Sequence, residues 1–523
     1  MIRRRGFNAG LLAASLPLPA IAQTTTAGGG GEGRRGGDVV VAQQQQPPSL
    51  DSQTTTAQAA RNISLHVYES LFTRDEVSNP KPELAEGLDM AADGMTYRVP
   101  IRTGVKFHNG KIMTSADVKA SMERYAKVGG SGDILKSVAT IETPDSKTVV
   151  FKMAHVFPGF IEGISSPRAP FVIMPAEECG KPAGQTVPPM IGTGPFRFVE
   201  YRPDSHVKLA RFDDYVANTN YDKRDGFTGR KIAYFDSVTF RFMPEGGART
   251  AGLQTGELQV LESLDVAAAK RLKDDKSISI YPVMPWGFLT LMMNTNWGLT
   301  ANLDIRRAIQ SAVDLEEIAA IASDGNYRLD PAWQYAGTNY YPGIDGLDRF
   351  AKPDPAQAKK LLQSGGYKGE ELQLVADTQA KVHLDAGTVA AEQLRAIGMK
   401  VNFRTMDWPT VIATRTKPDG WNLWPLVMGI EPYEGPYNVV GFFAGTQTVQ
   451  IKQDPVIEDA NNKLATVLDL DGRRAAVKQF QARLYDQAIS IKVGDVGNIQ
   501  ATRANVRGYA PYRIPRMWNC WFA

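Results

Sequence analysis

Residues 371–403 read ELQLVADTQAKVHLDAGTVAAEQLRAIGMKVNF, and the apolar spacing changes period twice within them. Leu372, Leu374 and Ala376 take every second position, as in a strand. Ala386, Val389, Ala390, Gln393, Leu394 and Ile397 then fall on one face of a helix, and Gly398 closes it. Val401 and Phe403 return to alternation. Strand, helix and strand in this order form a βαβ unit, which joins parallel strands through a right-handed crossover. The fold class is therefore α/β.

The flanking sequence extends the pattern. Ile305, Ala308, Ile309, Ala312 and Val313 share a helical face, with Asp304 as the expected N-cap. Asp354-Pro355 opens another helix and Gly365-Gly366 stops it, Pro first and Gly last. A final helix is expected over 473–489. The first half is richer in strands. Asp93-Gly94 precedes alternating Tyr97, Val99 and Ile101, and further strands are expected over 148–153, 196–201, 207–211 and 238–242. Asn109-Gly110 sits between 105–108 and 111–112 as in a hairpin, because this pair accepts the positive φ angles of a tight turn. Thr114-Ser115-Ala116-Asp117 is a capping box for a helix running through Met122. The chain has no internal repeat. Its 523 residues, 43% hydrophobic, exceed what one core serves, so two or more lobes are expected, and 22% charged residues exclude a disordered or fibrous chain.

The N-terminus reads as an export signal over 1–22. Arg3, Arg4 and Arg5 form a charged region, residues 9–20 are small and apolar, and Ala20-Ile21-Ala22 is a cleavage site, giving Gln23 as the mature start. The apolar run of about 12 residues falls short of the roughly 20 needed to span a bilayer. Arg4-Arg5-Gly6-Phe7 also suits twin-arginine export, so either route is open. The formal charge of the whole chain is +3, and the signal holds three arginines and no acids, so the mature protein is neutral and has no electrostatic footprint for nucleic acid or an anionic membrane. Residues 23–37 form a Thr/Gly-rich tether. Cys179 and Cys520, the two cysteines, lie away from the signal's end, which excludes a lipidated cysteine. In an oxidising compartment they either pair or remain separate buried thiols. A soluble periplasmic protein of a Gram-negative cell is expected.

Catalytic motifs fail when tested. His66, His108, His155, His206 and His383 are scattered, and no pair has the spacing that sets two imidazoles on one helical face for a metal. In the stretch 104–111 Asn109 stands where a phosphate loop needs its second glycine, and Ile112 replaces its Ser/Thr. Gly192-Thr193-Gly194-Pro195 lacks the third glycine of a dinucleotide fingerprint. No G-x-S-x-G elbow occurs. Glu316-Glu317 and Asp213-Asp214 read as solvated faces. No catalytic residue, cofactor or metal is expected, and the chain reads as a binder. A periplasmic hydrolase is the alternative from another class.

Several stretches align in order with one family: Tyr68-Glu69-Ser70-Leu71-Phe72, Pro82-Glu83-Leu84-Ala85, Asp93-Gly94-Met95-Thr96-Tyr97, Gly104-Val105-Lys106-Phe107-His108-Asn109-Gly110 and Ser115-Ala116-Asp117-Val118. Ile191-Gly192-Thr193-Gly194-Pro195-Phe196, Asn294 with Asp304-Ile305-Arg306-Arg307-Ala308-Ile309, and residues 355–367 continue it. Across 39–511 the chain resembles the extracellular solute-binding proteins of peptide ABC importers, the dipeptide- and oligopeptide-binding group of family five. The resemblance implies a two-lobed periplasmic-binding-protein fold with a pair of hinge segments. Lobe one would be 38–281, with a β-rich subdomain at about 67–190, completed by 495–523; lobe two would be 282–494. It implies a monomer that takes a di- or oligopeptide, or a similar small amine, and delivers it to a permease and ATPase in the inner membrane. Relatives of this shape also bind glutathione, opines, oligosaccharides, haem or chelated nickel.

The resemblance also implies a site. In relatives a carboxylate in a Trp-rich segment holds the ligand's ammonium, because an enclosed cation needs an anion within hydrogen-bonding reach. Here that segment is 408–434. Glu431 takes the carboxylate's place, Met428 an aromatic's place, and Trp408, Ile412 and Arg415 match lining positions at helical spacing, with Trp424 beside them. Gln45 and Gln46 before Pro47-Pro48 are the candidates on lobe one, and Trp286 and Phe288 lie just past the expected hinge.

Overall fold

The structure, a computed structural model, describes residues 33–183, 190–347, 350, 352–378, 380–444 and 450–523. The expected signal and most of the tether lie outside the described residues. Among the described residues no helix is long and apolar enough to cross a membrane.

One sheet of 11 strands runs through the molecule. Its order is Lys400–Met406, Glu371–Asp377, Leu423–Met428, Ile278–Met293, Ser490–Arg503, Val260–Leu261, Asp38–Gln43, Ser237–Phe242, His206–Arg211 and Phe196–Arg202, with Tyr327–Arg328 added beside Ser490–Arg503. The βαβ unit forms as expected: Glu371–Asp377 and Lys400–Met406 pair in parallel, from Glu371 against Lys400 to Asp377 against Met406, and the helix Lys381–Ala396 crosses between them.

Two strands are far longer than the rest. Ile278–Met293 has 16 residues and Ser490–Arg503 has 14, and they pair antiparallel along most of their length. At roughly 3.3 Å per residue such a strand extends about 50 Å, enough to serve two cores. The ladder is interrupted twice: a one-residue bulge lies between the pairs Leu289 with Gly494 and Thr290 with Lys492, and the wider break lies where Val283 faces Asn498 and the next pair is Gly287 with Val496. Pro285 lies in this gap, and without an N–H it cannot donate to the ladder. Gly497 lies opposite, where a Cβ would come 2.6 Å from Asn326 Oδ1 and 2.8 Å from Met284 Cε.

On one side of the break the sheet is covered on both faces. Leu289, Leu291, Leu372, Leu374 and Leu423 pack under the helices Leu303–Ala312, Leu315–Ala322, Pro355–Ser364 and Lys381–Ala396. The alternate residues Phe288, Met292, Val375, Trp424 and Met428 pack with Trp333, Trp421 and the helices Pro455–Thr466 and Leu470–Asp486. Burial on both faces explains the unbroken apolar run of Leu423–Met428. On the other side, Val39, Val41, Val238 and Phe240 build one core with Ile63, Met517 and Cys520. A further core, with Tyr97, Val99, Phe107, Val118, Met122 and Phe151, belongs to the small sheet of Thr96–Pro100, Val138–Asp145 and Thr148–Met153 and the helix Ser115–Val128.

Buried polar groups join the small sheet to its neighbours. Arg124 grips Asp51 through both terminal nitrogens at 2.5 and 3.1 Å. Lys231 bonds Glu83 and lies 3.5 Å from Glu69, which also accepts from Thr193 and Tyr215. Gly192 and Gly194 lie against the end of the helix Gln58–Val67, where a Cβ would come 2.1 Å from Val67 O and 2.5 Å from His66 O respectively. Close approach, and no nucleotide, requires these glycines.

Three helix readings change. The helix Leu303–Ala312 is capped by Asn302, which accepts from Asp304 N and Ile305 N; Asp304 lies inside the helix. The 105–112 hairpin closes as expected, with the antiparallel bridge between Lys106 and Ile112 flanked by the bonds Phe107 N to Lys111 O and Met113 N to Val105 O, while His108 N bonds Gly192 O. The last helix is Leu470–Asp486, started earlier by the Asp469 cap, and the helix after the capping box continues to Val128 while Tyr125 remains in the core. Cys179 and Cys520 are both free thiols.

Three histidines fasten neighbouring segments through both ring nitrogens. His66 Nδ1 donates to Asn62 O at 2.8 Å while Nε2 accepts from Met517 N at 3.0 Å. His108 accepts from Gly192 N and donates to Gly194 O. His383 accepts from Val427 N and donates to Asp377. Burial pulls His66 down to about 3 and His108 to about 4 from the ordinary 6.5.

Two predictions follow from this packing. Since both values fall below 6.5, the unfolded chain binds more protons, so this stabilisation is intact above pH 6.5 and declines as pH falls towards 3–4. Denaturation midpoints should drop over that range, and ring-proton NMR of His66 and His108 should show no inflection near 6.5. Gly192→Ala should cost about 1–3 kcal/mol by chemical denaturation. Gly87→Ala, with nothing within 4 Å of the added methyl, should stay within about 0.5 kcal/mol.

Candidate functional site

The strand Leu423–Met428 pairs with Ile278–Met293 so that Met428 faces Phe288, next to the ladder break. The chain then leaves the sheet through Gly429 and Ile430, whose carbonyl accepts from Tyr335 OH at 2.7 Å. Glu431 caps the turn Pro432–Glu434, and Glu434 accepts the Glu431 N–H at 2.6 Å, so the E-x-x-E spacing fixes both carboxylates. Glu431 is thereby held at the level of the break.

Opposite stands Arg61, on the helix Gln58–Val67. Its two terminal nitrogens donate to the two oxygens of Glu431 at 3.0 and 2.7 Å, in fork-to-fork geometry. Both residues are buried. Arg513, from the C-terminal segment, reaches the same carboxylate at 3.7 Å, donates to Trp286 O and stacks its guanidinium 4.1 Å from the Trp286 ring centre. Gln58 ties the two arginines, accepting from Arg61 and donating to Arg513 O at 2.7 Å. Arg168 bonds Glu434 at 2.7 Å, and Asn438 donates to the same oxygen.

The contact continues outward as a seam. Tyr340 OH donates to Glu162 at 3.1 Å, and Arg473 lies 3.7 Å from Glu162. Phe157 meets Tyr437 edge to face at 6.4 Å, and a Cβ on Gly159 would come 2.8 Å from the Tyr437 ring.

Three guanidinium groups thus surround two carboxylates. Burial would raise the Glu431 carboxyl, but Arg61 and Arg513 together hold it below the ordinary range. Burial pushes Glu434 up, against the opposing pull of Arg168. Burial lowers Arg513, with Glu431 acting the other way. The cluster carries a net positive charge.

The residues expected from sequence divide into groups. Glu431 and Trp286 enter the cluster, but Glu431 does not stand as an open anion or an exposed loop carboxylate, since Arg61 already fills its fork. Met428, Trp424 and Phe288 pack in one core beside Trp333. Trp408, Ile412 and Arg415 share the helix Trp408–Arg415, with Trp408 36% exposed and the Arg415 guanidinium 5.1 Å from the Trp424 ring centre. Gln46 is exposed and accepts from Asp204 N, and the Gln45 carbonyl accepts from Gln43. Gln45 is tied to the cluster through Gln43, Asn62 and Gln58, and Phe288 meets the ring of Tyr335, whose hydroxyl bonds the carbonyl next to Glu431. Arg61, Arg168, Arg513, Glu162 and Tyr340 were not anticipated. None of them belongs to a local motif, and only the 434 position, three after Glu431, had a readable signal.

The profile of the bacterial extracellular solute-binding proteins, family 5 middle region, matches residues 79–450. A probable peptide ABC transporter periplasmic-binding protein, y4tO of Sinorhizobium fredii, is 27% identical, covering 99% of this chain and 98% of that one. Among solved structures, the substrate-binding protein CtaP of Listeria monocytogenes superposes with a TM-score of 0.80 at 20% identity, covering 94% of this chain and all of that one. AgaA of A. tumefaciens R10, in complex with agropinic acid, gives 0.73 at 22%, covering 93% of this chain and 99% of that one. With the family profile matching over most of its length, and its sheet and lobes arranged as in these proteins, the chain belongs to the bacterial extracellular solute-binding proteins of family 5.

Proposed function

We propose that this chain is the periplasmic receptor of an ABC importer, capturing a di- or oligopeptide, or a similar small amine-bearing solute, between its lobes and delivering it to a permease. One observation carries the reading: the buried Arg61–Glu431 pair joins the two cores beside the break in their shared strands. Polar groups placed there are withdrawn from water only when the lobes meet, so a solute enclosed with them is gripped on closure. The name of the S. fredii relative supports a peptide cargo. A non-peptide solute of similar size is the second reading, favoured by the agropinic acid complex of AgaA.

On this reading the lobes are 38–281 with 495–523, and 282–494, and the break at Val283–Gly287 is the hinge. Trp408, Ile412 and Arg415 remain candidates for lining on lobe two, and Gln45 and Gln46 for lining on lobe one. The chain acts as a monomer with a permease and ATPase as partners, is exported by a signal cleaved after Ala22, and performs no chemistry on its cargo.

Native mass spectrometry of the protein purified from its host's periplasm should find a chain starting at Gln23 that carries one intact solute. Conversion of that solute on incubation, or neither an adduct nor peptide binding by calorimetry, would overturn the receptor reading. Gly159→Leu should wedge the seam open at Tyr437. Solute affinity should fall about tenfold or more, while thermal unfolding of the solute-free protein changes little.

A further inference from the structure

The receptor reading leaves open which end of a solute the cluster recognises, and the charges beside Glu431 bear on it. The two forks at this carboxylate are unequally used. Arg61 lies flat against Glu431 at 2.7 and 3.0 Å. Arg513 presents one nitrogen, Nη1, to Trp286 O, while its Nη2 stops 3.7 Å from Glu431 and its Nε has no hydrogen-bond partner among the described residues. Yet the Arg513 side chain is only 7% exposed. A buried guanidinium edge without an acceptor is costly, since each buried N–H donor lost from water needs a partner. The Nε–Nη2 edge is also the geometry that matches two oxygens of one planar anion.

Charge favours the same conclusion. Arg61, Arg168 and Arg513 face Glu431 and Glu434, so three cations meet two anions, and the burial that raises Glu434 moves the balance further towards positive. A ligand ammonium added here would increase an uncompensated buried positive charge. A carboxylate would cancel it and fill the open edge of Arg513. Trp286, with the guanidinium over its ring at 4.1 Å from the centre, holds that edge in place.

Building on the receptor reading above, we propose that the solute carries a carboxylate and that this group seats on the Nε–Nη2 edge of Arg513, with Arg61 beside it. Glu431 then acts as the positioning residue that holds the two arginines apart and aligned. The ammonium of a peptide or amino-acid-like solute lies elsewhere in the cleft.

The mature full-length protein is titrated by calorimetry with three probes: Ala-Ala-Ala, its C-terminal amide and its N-acetyl form. Amidation should weaken binding about 100-fold, the scale of leaving a buried charge unpaired, and acetylation by clearly less. Arg513→Gln should bring the free-acid to amide ratio close to one, and Arg513→Lys, which keeps the charge without the fork, should give an intermediate ratio. Glu431→Gln should preserve a preference for the free acid even if both affinities fall. The proposal is overturned if acetylation costs more than amidation, or if Glu431→Gln erases the ratio while Arg513→Gln leaves it intact. If none of the three probes binds, peptide cargo fails but this proposal does not. The solute carried from the host then decides: an acidic group whose esterification abolishes rebinding supports the proposal, and a solute with no acidic group overturns it.

Discussion

From Ile278 to Met293 the chain pairs antiparallel with Ser490–Arg503, and this one ladder determines where every other part can sit. Backbone hydrogen bonds in a sheet interior leave little freedom along a strand, so the cores built on either half are fixed in register to each other. Freedom returns where the ladder is interrupted, and Pro285 lies in the wider of its two interruptions. Lys492 and Asp495, both fully buried and 2.8 Å apart, anchor the Ser490–Arg503 strand on the lobe-two side, with Arg328 adding a second cation to Asp495 at 2.6 Å. Stiff ladder on both sides of a short irregular stretch is the arrangement that allows two rigid bodies to rotate without unfolding either.

The site takes its position from that stretch. Met428 pairs with Phe288 and Trp286 lies within the break, so the loop carrying Glu431 is held close to where rotation is centred. On the proposed reading, rotation moves such a group little, and the seam at Glu162, Tyr340 and Tyr437 is a second contact that forms as the lobes meet. The charges at Glu431 and Glu434 are buried, and away from water an imbalance of one charge has a large effect.

The sequence was legible where a pattern is local. Leu372 to Phe403 could be read as βαβ because the side-chain period follows from backbone geometry alone, and the capping box at Thr114 and Asp117 is written within four residues. Helix ends were less readable, because a cap such as Asn302 or Asp469 competes with equally polar neighbours and only the fold selects between them. The ion pairs were not readable at all. Arg61 and Glu431 are 370 positions apart, and nothing in the composition of a ten-residue helix marks one arginine for a distant carboxylate. Family likeness drew attention to Glu431 but not to its partner, and so suggested an open anion where the structure has a filled one. Gln46 shows the converse: its place after the first strand suited a cleft, yet its side chain turns to the Asp204 backbone.

The Arg61–Glu431 pair has a consequence for how often the transporter works without cargo. Burying two ions costs nearly as much as their attraction returns, so the pair by itself gives lobe closure little net drive. On the proposed receptor reading, closure then depends on the solute: a group that neutralises the remaining charge would remove the opposing term, and the same pair that aligns the lobes would set a threshold against futile turnover of ATP.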